Sequence, residues 1–105
     1  MAHNQLKLIR EGVEVWNNWR KNNAENINLV GADLSQIDLS GADLKGANLS
    51  KSIFYKTNLV NASLDSANLF ETNLTKANLT GATLKWVRLT GSDLSKANLR
   101  NTDLY

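Results

Sequence analysis

From residue 27 to the last residue, apolar side chains return at every fifth position. Positions 29, 34, 39 and onward to 104 hold fifteen leucines and one phenylalanine, Phe54, and no leucine after residue 26 falls outside this series. Two residues before each stands a smaller side chain, Ala at eight of the sixteen places and otherwise Ser, Thr, Ile or Val. The residue just before is Asn or Asp in twelve of sixteen cases, as in Ala32-Asp33-Leu34 and Ala77-Asn78-Leu79. No insertion breaks the register.

A period of five suits neither regular element. On an α-helix five residues advance about 140°, which would spread the leucines over every face. On a continuous strand an odd step would flip each leucine to the opposite side. The pattern survives only if the chain turns between units. Each Ala-x-Leu pair then points inward from a short extended segment, and the remaining residues make a corner. Gly31, Gly41, Gly46, Gly81 and Gly91 all occupy the same corner position, where a positive φ is cheap.

The tandem A(D/N)LXX pattern, as in Gly31-Ala32-Asp33-Leu34-Ser35, resembles the pentapeptide-repeat family. The resemblance covers residues 27–105. It implies an all-β repeat solenoid: a right-handed quadrilateral β-helix of about four coils, four pentads to a coil, capped at the N-terminus by one or two α-helices. A leucine-rich repeat is excluded because its units are longer than five residues. At a coil spacing of ~4.8 Å, sixteen pentads would make a shaft roughly 19 Å long.

With 20 residues per coil, four inner columns follow. They are Leu29, Leu49, Leu69 and Leu89; Leu34, Phe54, Leu74 and Leu94; Leu39, Leu59, Leu79 and Leu99; and Leu44, Leu64, Leu84 and Leu104. Each buried leucine is worth roughly 1.5–3 kcal/mol. Phe54 is expected to fill the core, as bulky rings do in other family members. Ser52, Thr72 and Ser92 form an inner column whose hydroxyls need main-chain partners.

Residues 1–26 form a different element, an N-terminal helical cap before the sixteen pentads of residues 27–105. Leu6, Ile9, Val13 and Trp16 recur at helical spacing, and Leu8, Val15 and Trp19 make an adjoining stripe. Asn4 is a candidate N-cap, Asn22 and Asn23 a candidate stop, and Gly12 a candidate break between two short helices. The first coil would otherwise expose leucines and an unpaired edge, so the helices are expected to cover it. GVEVWNNWR resembles a lead-in segment of bacterial, especially cyanobacterial, members of the family. After residue 105 no second cap follows. Leu99, Leu104 and Tyr105 are therefore expected to form an open end, either the seat of an end-to-end homodimer or a junction within a longer chain.

Composition narrows the chemistry. Among 105 residues there is no cysteine and one histidine, His3, which removes thiolate chemistry, disulfides and the usual general base. The aspartates sit at repeat positions explained by turn geometry, and no phosphate-cradling loop is present. No catalytic residue, cofactor or metal site is expected. No apolar run approaches the roughly 18 residues of a membrane span, and no signal-type segment opens the chain, so a cytoplasmic setting is expected.

Function must then lie on the outer surface. Lys56, Lys76 and Lys96 stack one above another over Gln36. Lys45, Asp65 and Lys85 suggest a ladder of alternating sign, and Asn58, Asn78 and Asn98 an amide column serving the turns. Tyr55, Phe70, Trp86 and Tyr105 are the expected exposed aromatics, with Trp86 and Arg88 a candidate interface pair. These features favour a non-catalytic scaffold for an unidentified protein partner, with weak polyanion binding by the lysine column as an alternative. Some family members bind DNA gyrase through a rod-like acidic surface that mimics duplex DNA. Here residues 27–105 carry eight basic and seven acidic side chains, which disfavours mimicry. Nucleic acid is likewise an unfavoured partner, since three lysines give weak, salt-sensitive binding and no base-stacking platform accompanies them.

Overall fold

The computed structural model describes residues 4–104. Helix α1 (Gln5–Arg10) starts at Asn4, whose Oδ1 accepts the Lys7 N–H at 3.1 Å. Helix α2 (Val13–Asn22) follows at once, because Gly12 takes φ 120° and turns the chain between them. Asn23 returns to extended backbone and ends α2. Ile9, Trp16 and Trp19 are buried beneath the first coil, the two indoles lying 5.2 Å apart at a 40° tilt. Val15, expected on the adjoining apolar stripe, is 42% exposed. The buried arc of α2 is centred on Trp16 and Trp19, and Val15 falls at its margin, where the first coil no longer reaches.

From Ile27 onward the chain winds in coils of 20 residues. Twelve parallel bridges join residue i to residue i + 20, from Asn28↔Asn48 to Thr83↔Asp103, four at each of three junctions. Every fifth residue from Gly31 to Asn101 has positive φ, so each coil turns four corners. Five corners are glycine; the other ten, including Lys56, Lys76, Trp86 and Lys96, hold L side chains in the left-handed region. Gly81 has a second reason to be glycine: a Cβ there would run into Asn61 Oδ1.

One pentad accounts for all of its own N–H groups. Ala77 N–H closes the corner on Leu74 O at 3.0 Å, and Asn78 N–H donates back to Thr57 O of the previous coil at 3.0 Å. Leu79 and Gly81 N–H donate forward to Asn98 O and Arg100 O at 2.8 and 2.9 Å. That leaves Thr80 N–H, which no neighbouring coil can reach. The Asn78 side chain accepts it at 3.1 Å. Asn or Asp recurs before the leucine for this reason, since its short carbonyl bends back onto the N–H two residues on.

Inside, Leu34, Leu39, Leu44, Leu49, Phe54, Leu59 and Leu64 are fully buried, and burial continues through Leu84. Hydroxyls in the inner columns find main-chain partners: Thr57 Oγ1 donates to Leu34 O at 2.6 Å and Thr72 Oγ1 to Leu69 O at 3.0 Å. Ser52 and Ser92 donate in the same way to Leu49 O and Leu69 O. Burial fails in the last coil. Leu89 and Leu94 are only half-buried, while Leu99 and Leu104 are 36% and 55% exposed, because no coil lies beyond them in this structure.

The cap closes the opposite edge with side chains instead of helix backbone. Asn17 acts as a stand-in peptide group, its Nδ2 donating to Gly41 O at 3.0 Å and its Oδ1 accepting from Asp43 N–H at 2.8 Å. Trp16 Nε1 donates to Asp43 O at 2.8 Å, Arg10 to Asp33 O at 2.7 Å and Arg20 to Lys45 O at 2.8 Å. Gln5 both donates to Asn26 O and accepts from Asn28 N–H, at 2.8 and 2.7 Å. Asn17→Ala strands one donor and one acceptor and is expected to lower unfolding stability by about 1–3 kcal/mol, read by urea titration. An unchanged midpoint would show that Asn17 does not close the edge.

Acid sensitivity follows from the same turns. The Ser40 hydroxyl and then the Ser40 N–H, both directed at Asp38, hold its carboxyl below the ordinary value of 3.8; Asp33 and Asp93 are held down by Ser35 and Ser95 alike. A folded-state value below the unfolded one gives stability that is present above pH 3.8 and lost as pH falls through the lowered folded value. Asp38→Asn keeps the acceptor but cannot titrate. Its melting temperature is expected to fall less steeply than wild type in that acid range, and parallel slopes would contradict the assignment.

Candidate interaction surfaces

The corners carry the side chains that reach furthest from the shaft, because an i + 2 residue at positive φ points away from both adjoining faces. Trp86 is the extreme case, with φ 63° and 74% of its surface exposed. A bulky residue in the left-handed region is strained, and here no burial offsets the strain. Arg88, paired with Trp86 by sequence reasoning, packs elsewhere: its guanidinium lies 5.6 Å from the Phe70 ring centre. The Arg88 main chain is held by the coil ladder directly above Asn68, and its side chain folds down and across the face onto Phe70, two residues further on in the coil below. Phe70 and Tyr55 are half-buried, not fully exposed as the sequence suggested.

Lys56, Lys76 and Lys96 occupy one corner column, with φ of 56°, 60° and 59°, and all three are exposed. Tyr55 organises the first two, the Lys56 and Lys76 ammonium nitrogens standing 5.4 and 5.9 Å from its ring centre. The alternating ladder of Lys45, Asp65 and Lys85 does not form as expected. Asp65 Oδ1 accepts the Lys85 N–H at 3.0 Å, and the Lys85 ammonium reaches onward to Asp103 at 3.4 Å. Ser63 and Thr83 stand where most pentads carry Asn or Asp, which leaves this face to find other acceptors. Asn58, Asn78 and Asn98 each serve their own turn, accepting from Val60, Thr80 and Arg100 N–H at 3.0, 3.1 and 3.0 Å.

The third surface is the end of the fourth coil. Leu99 and Leu104 lie exposed there; Tyr105, grouped with them in the sequence, lies outside the described residues, as does His3. Asp33, Asp38 and Asp93 are each engaged by the serine two residues on. Among the described residues, no three His, Cys, Asp or Glu side chains converge on a point where a metal could sit. Sequence reasoning missed the donor set of the cap, Gln5, Arg10, Asn17 and Arg20. The available signal was the edge itself: a first coil rich in free carbonyls calls for donors on the helix that covers it.

Comparison with known proteins agrees with this geometry. Pentapeptide repeats match residues 27–65 and 67–104 in eight copies. Comparison with curated proteins gives no match. Among solved structures the chain is similar to HetL, a pentapeptide repeat protein involved in heterocyst differentiation regulation from the cyanobacterium Nostoc sp. strain PCC 7120. The two are 36% identical with a TM-score of 0.69 over 72% of this chain and 35% of HetL. A second pentapeptide repeat protein from Nostoc PCC 7120 is 32% identical, with a TM-score of 0.55 over 76% of this chain and 62% of its own. The chain thus spans about a third and three-fifths of these relatives. The coils are those of a right-handed β-helix solenoid, and this chain belongs to the pentapeptide repeat family.

Proposed function

We propose that this protein is a non-catalytic scaffold, a four-sided β-helix with a helical cap that presents side chains at fixed spacing to a protein partner in the cytoplasm. The observation that carries the reading is Trp86, exposed over 74% of its surface in a backbone conformation that glycine or asparagine would adopt more cheaply. Neither packing nor the fold accounts for a tryptophan at that corner. On the adjoining face, Arg88 over Phe70 adds a guanidinium, which with tryptophan is among the residue types that dominate binding hot spots. No helix among the described residues is long and apolar enough to cross a membrane.

The exposed leucines of the fourth coil support a second contact, a homodimer through Leu99 and Leu104. Both copies would present mostly N–H groups along this edge, so the contact would be made by leucine side chains and not by continuing the ladder. Sedimentation at micromolar concentration is expected to give twice the chain mass, and a strictly monomeric mass would exclude it.

Trp86→Gly separates fold from function. It relieves strain and is expected to raise unfolding stability by about 1 kcal/mol, within the 1–2 kcal/mol cost of the left-handed region less the added chain entropy. The same variant is expected to lose a partner that the wild-type chain captures from native lysate at moderate salt. Equal capture by both proteins would remove Trp86 from the interface.

A further inference from the structure

We infer that the corner formed by Lys56, Lys76 and Lys96 is a binding strip for a linear polyphosphate chain lying along the solenoid axis. The three lysines sit where the backbone would prefer glycine, as at five of the fifteen corners. Their main-chain geometry therefore gives no reason for lysine. Stacking them at ~4.8 Å places like charges side by side, which is unfavourable unless an anion answers them. None of the three takes part in an ion pair among the described residues; the pairs that form are Arg20–Asp43 and Lys85–Asp103.

The surroundings keep the strip cationic. On the two faces that meet at this corner, the four coils hold three carboxylates, Asp33, Asp38 and Asp93, each taken up by the serine two residues on, and one further cation, Arg100. Asp93 turns back onto the Ser95 hydroxyl and N–H. Tyr55 draws the Lys56 and Lys76 ammoniums over a single ring, so the two charges are held near each other. By contrast, the neighbouring corner places Lys51 beneath Glu71 and is neutral.

A phosphoanhydride chain is favoured over a polycarboxylate by the spacing of its charges. Arginine forks onto carboxylate and phosphate alike, whereas an ammonium is a point charge that meets phosphate oxygens from any direction. Single-stranded nucleic acid is less suited, because it gains affinity by stacking bases on free aromatic faces. The one ring here is half-buried and already faced by two ammoniums. A phosphoanhydride chain has no bases to place and packs its anions closely enough to answer closely spaced charges.

The test is fluorescence anisotropy with end-labelled linear polyphosphate and the full chain, from about 50 to about 200 mM salt. Three ammoniums are expected to give a slope of log K against log salt of about −2 to −3. The triple variant Lys56→Gln, Lys76→Gln, Lys96→Gln is expected to bind at least about tenfold more weakly at the lower salt. Gln36 already holds the equivalent corner of the first coil at φ 59°, so the fold should accept the change. If the triple variant melts early, Lys76→Gln alone, flanked by both other lysines, carries the comparison. Lys51→Gln is expected to leave binding unchanged. The proposal is overturned if polyphosphate fails to bind, if the lysine variants bind as wild type does, or if Lys51→Gln weakens binding equally. It is overturned too if oligothymidylate or polyglutamate binds as tightly, or if inorganic phosphate competes as well per phosphate.

Discussion

Each of the first two coils hands eight N–H groups to the coil that follows it and receives four in return, the third hands on seven among the described residues, and the remainder of the molecule is arranged around that imbalance. From Leu29 N–H to Asn48 O and Gly31 N–H to Ser50 O, the forward bonds come from the leucine and corner positions of every pentad. The backward bonds come from the residue before the leucine, as in Asn48 N–H to Ile27 O. The shaft is therefore polar along its axis. Its first edge is rich in carbonyls, and its last edge is rich in N–H groups. Each junction also requires a constant coil length, because one extra residue would break the ladder and turn a leucine outward.

The cap is chemically matched to the edge it covers. A helix lying across the carbonyl-rich edge cannot satisfy it with its own backbone, whose N–H groups are consumed within the helix. Gln5, Arg10, Trp16, Asn17 and Arg20 supply the donors, and only Gln5 and Asn17 also accept. The apolar contribution comes from Ile9, Trp16 and Trp19, which seal the end of the leucine columns. A cap built of glutamates with the same apolar stripe would bury the leucines equally well and leave the carbonyls without partners.

The repeat was legible in the sequence because its cause is local and repeats sixteen times. Leucine at every fifth place, the inward Ala or Ser two before it and the Asn or Asp between them each answer one requirement of the coil, and they recur in register. The cap was half legible. Apolar spacing located its helices, but the inward side chains of Gln5, Arg10 and Asn17 look like ordinary polar residues until the edge they meet is known. The same limit explains Val15, whose helical phase alone placed it on the adjoining apolar stripe, and Arg88, whose ring partner Phe70 lies 18 positions away in sequence and one coil below. Surface partners in a solenoid are set by residues 20 apart, so single-site reasoning sees the column but not the direction in which a long side chain folds. At Trp86 sequence identified an unusual residue; only the backbone dihedral showed that it is also a strained one.

Native-state amide hydrogen exchange, resolved residue by residue, tests the ladder most directly. Within the fourth coil, bonded and unbonded amides lie side by side. Asp93 and Asn98 N–H donate back to Thr72 O and Ala77 O, whereas the N–H groups of the next residues, Leu94 and Leu99, meet no acceptor among the described residues. Asp93 and Asn98 are expected to exchange slowly and Leu94 and Leu99 quickly, while Leu74 and Leu79, one coil earlier, are both slow. Leu94 and Leu99 protected as strongly as Leu74 and Leu79 would contradict the one-way ladder.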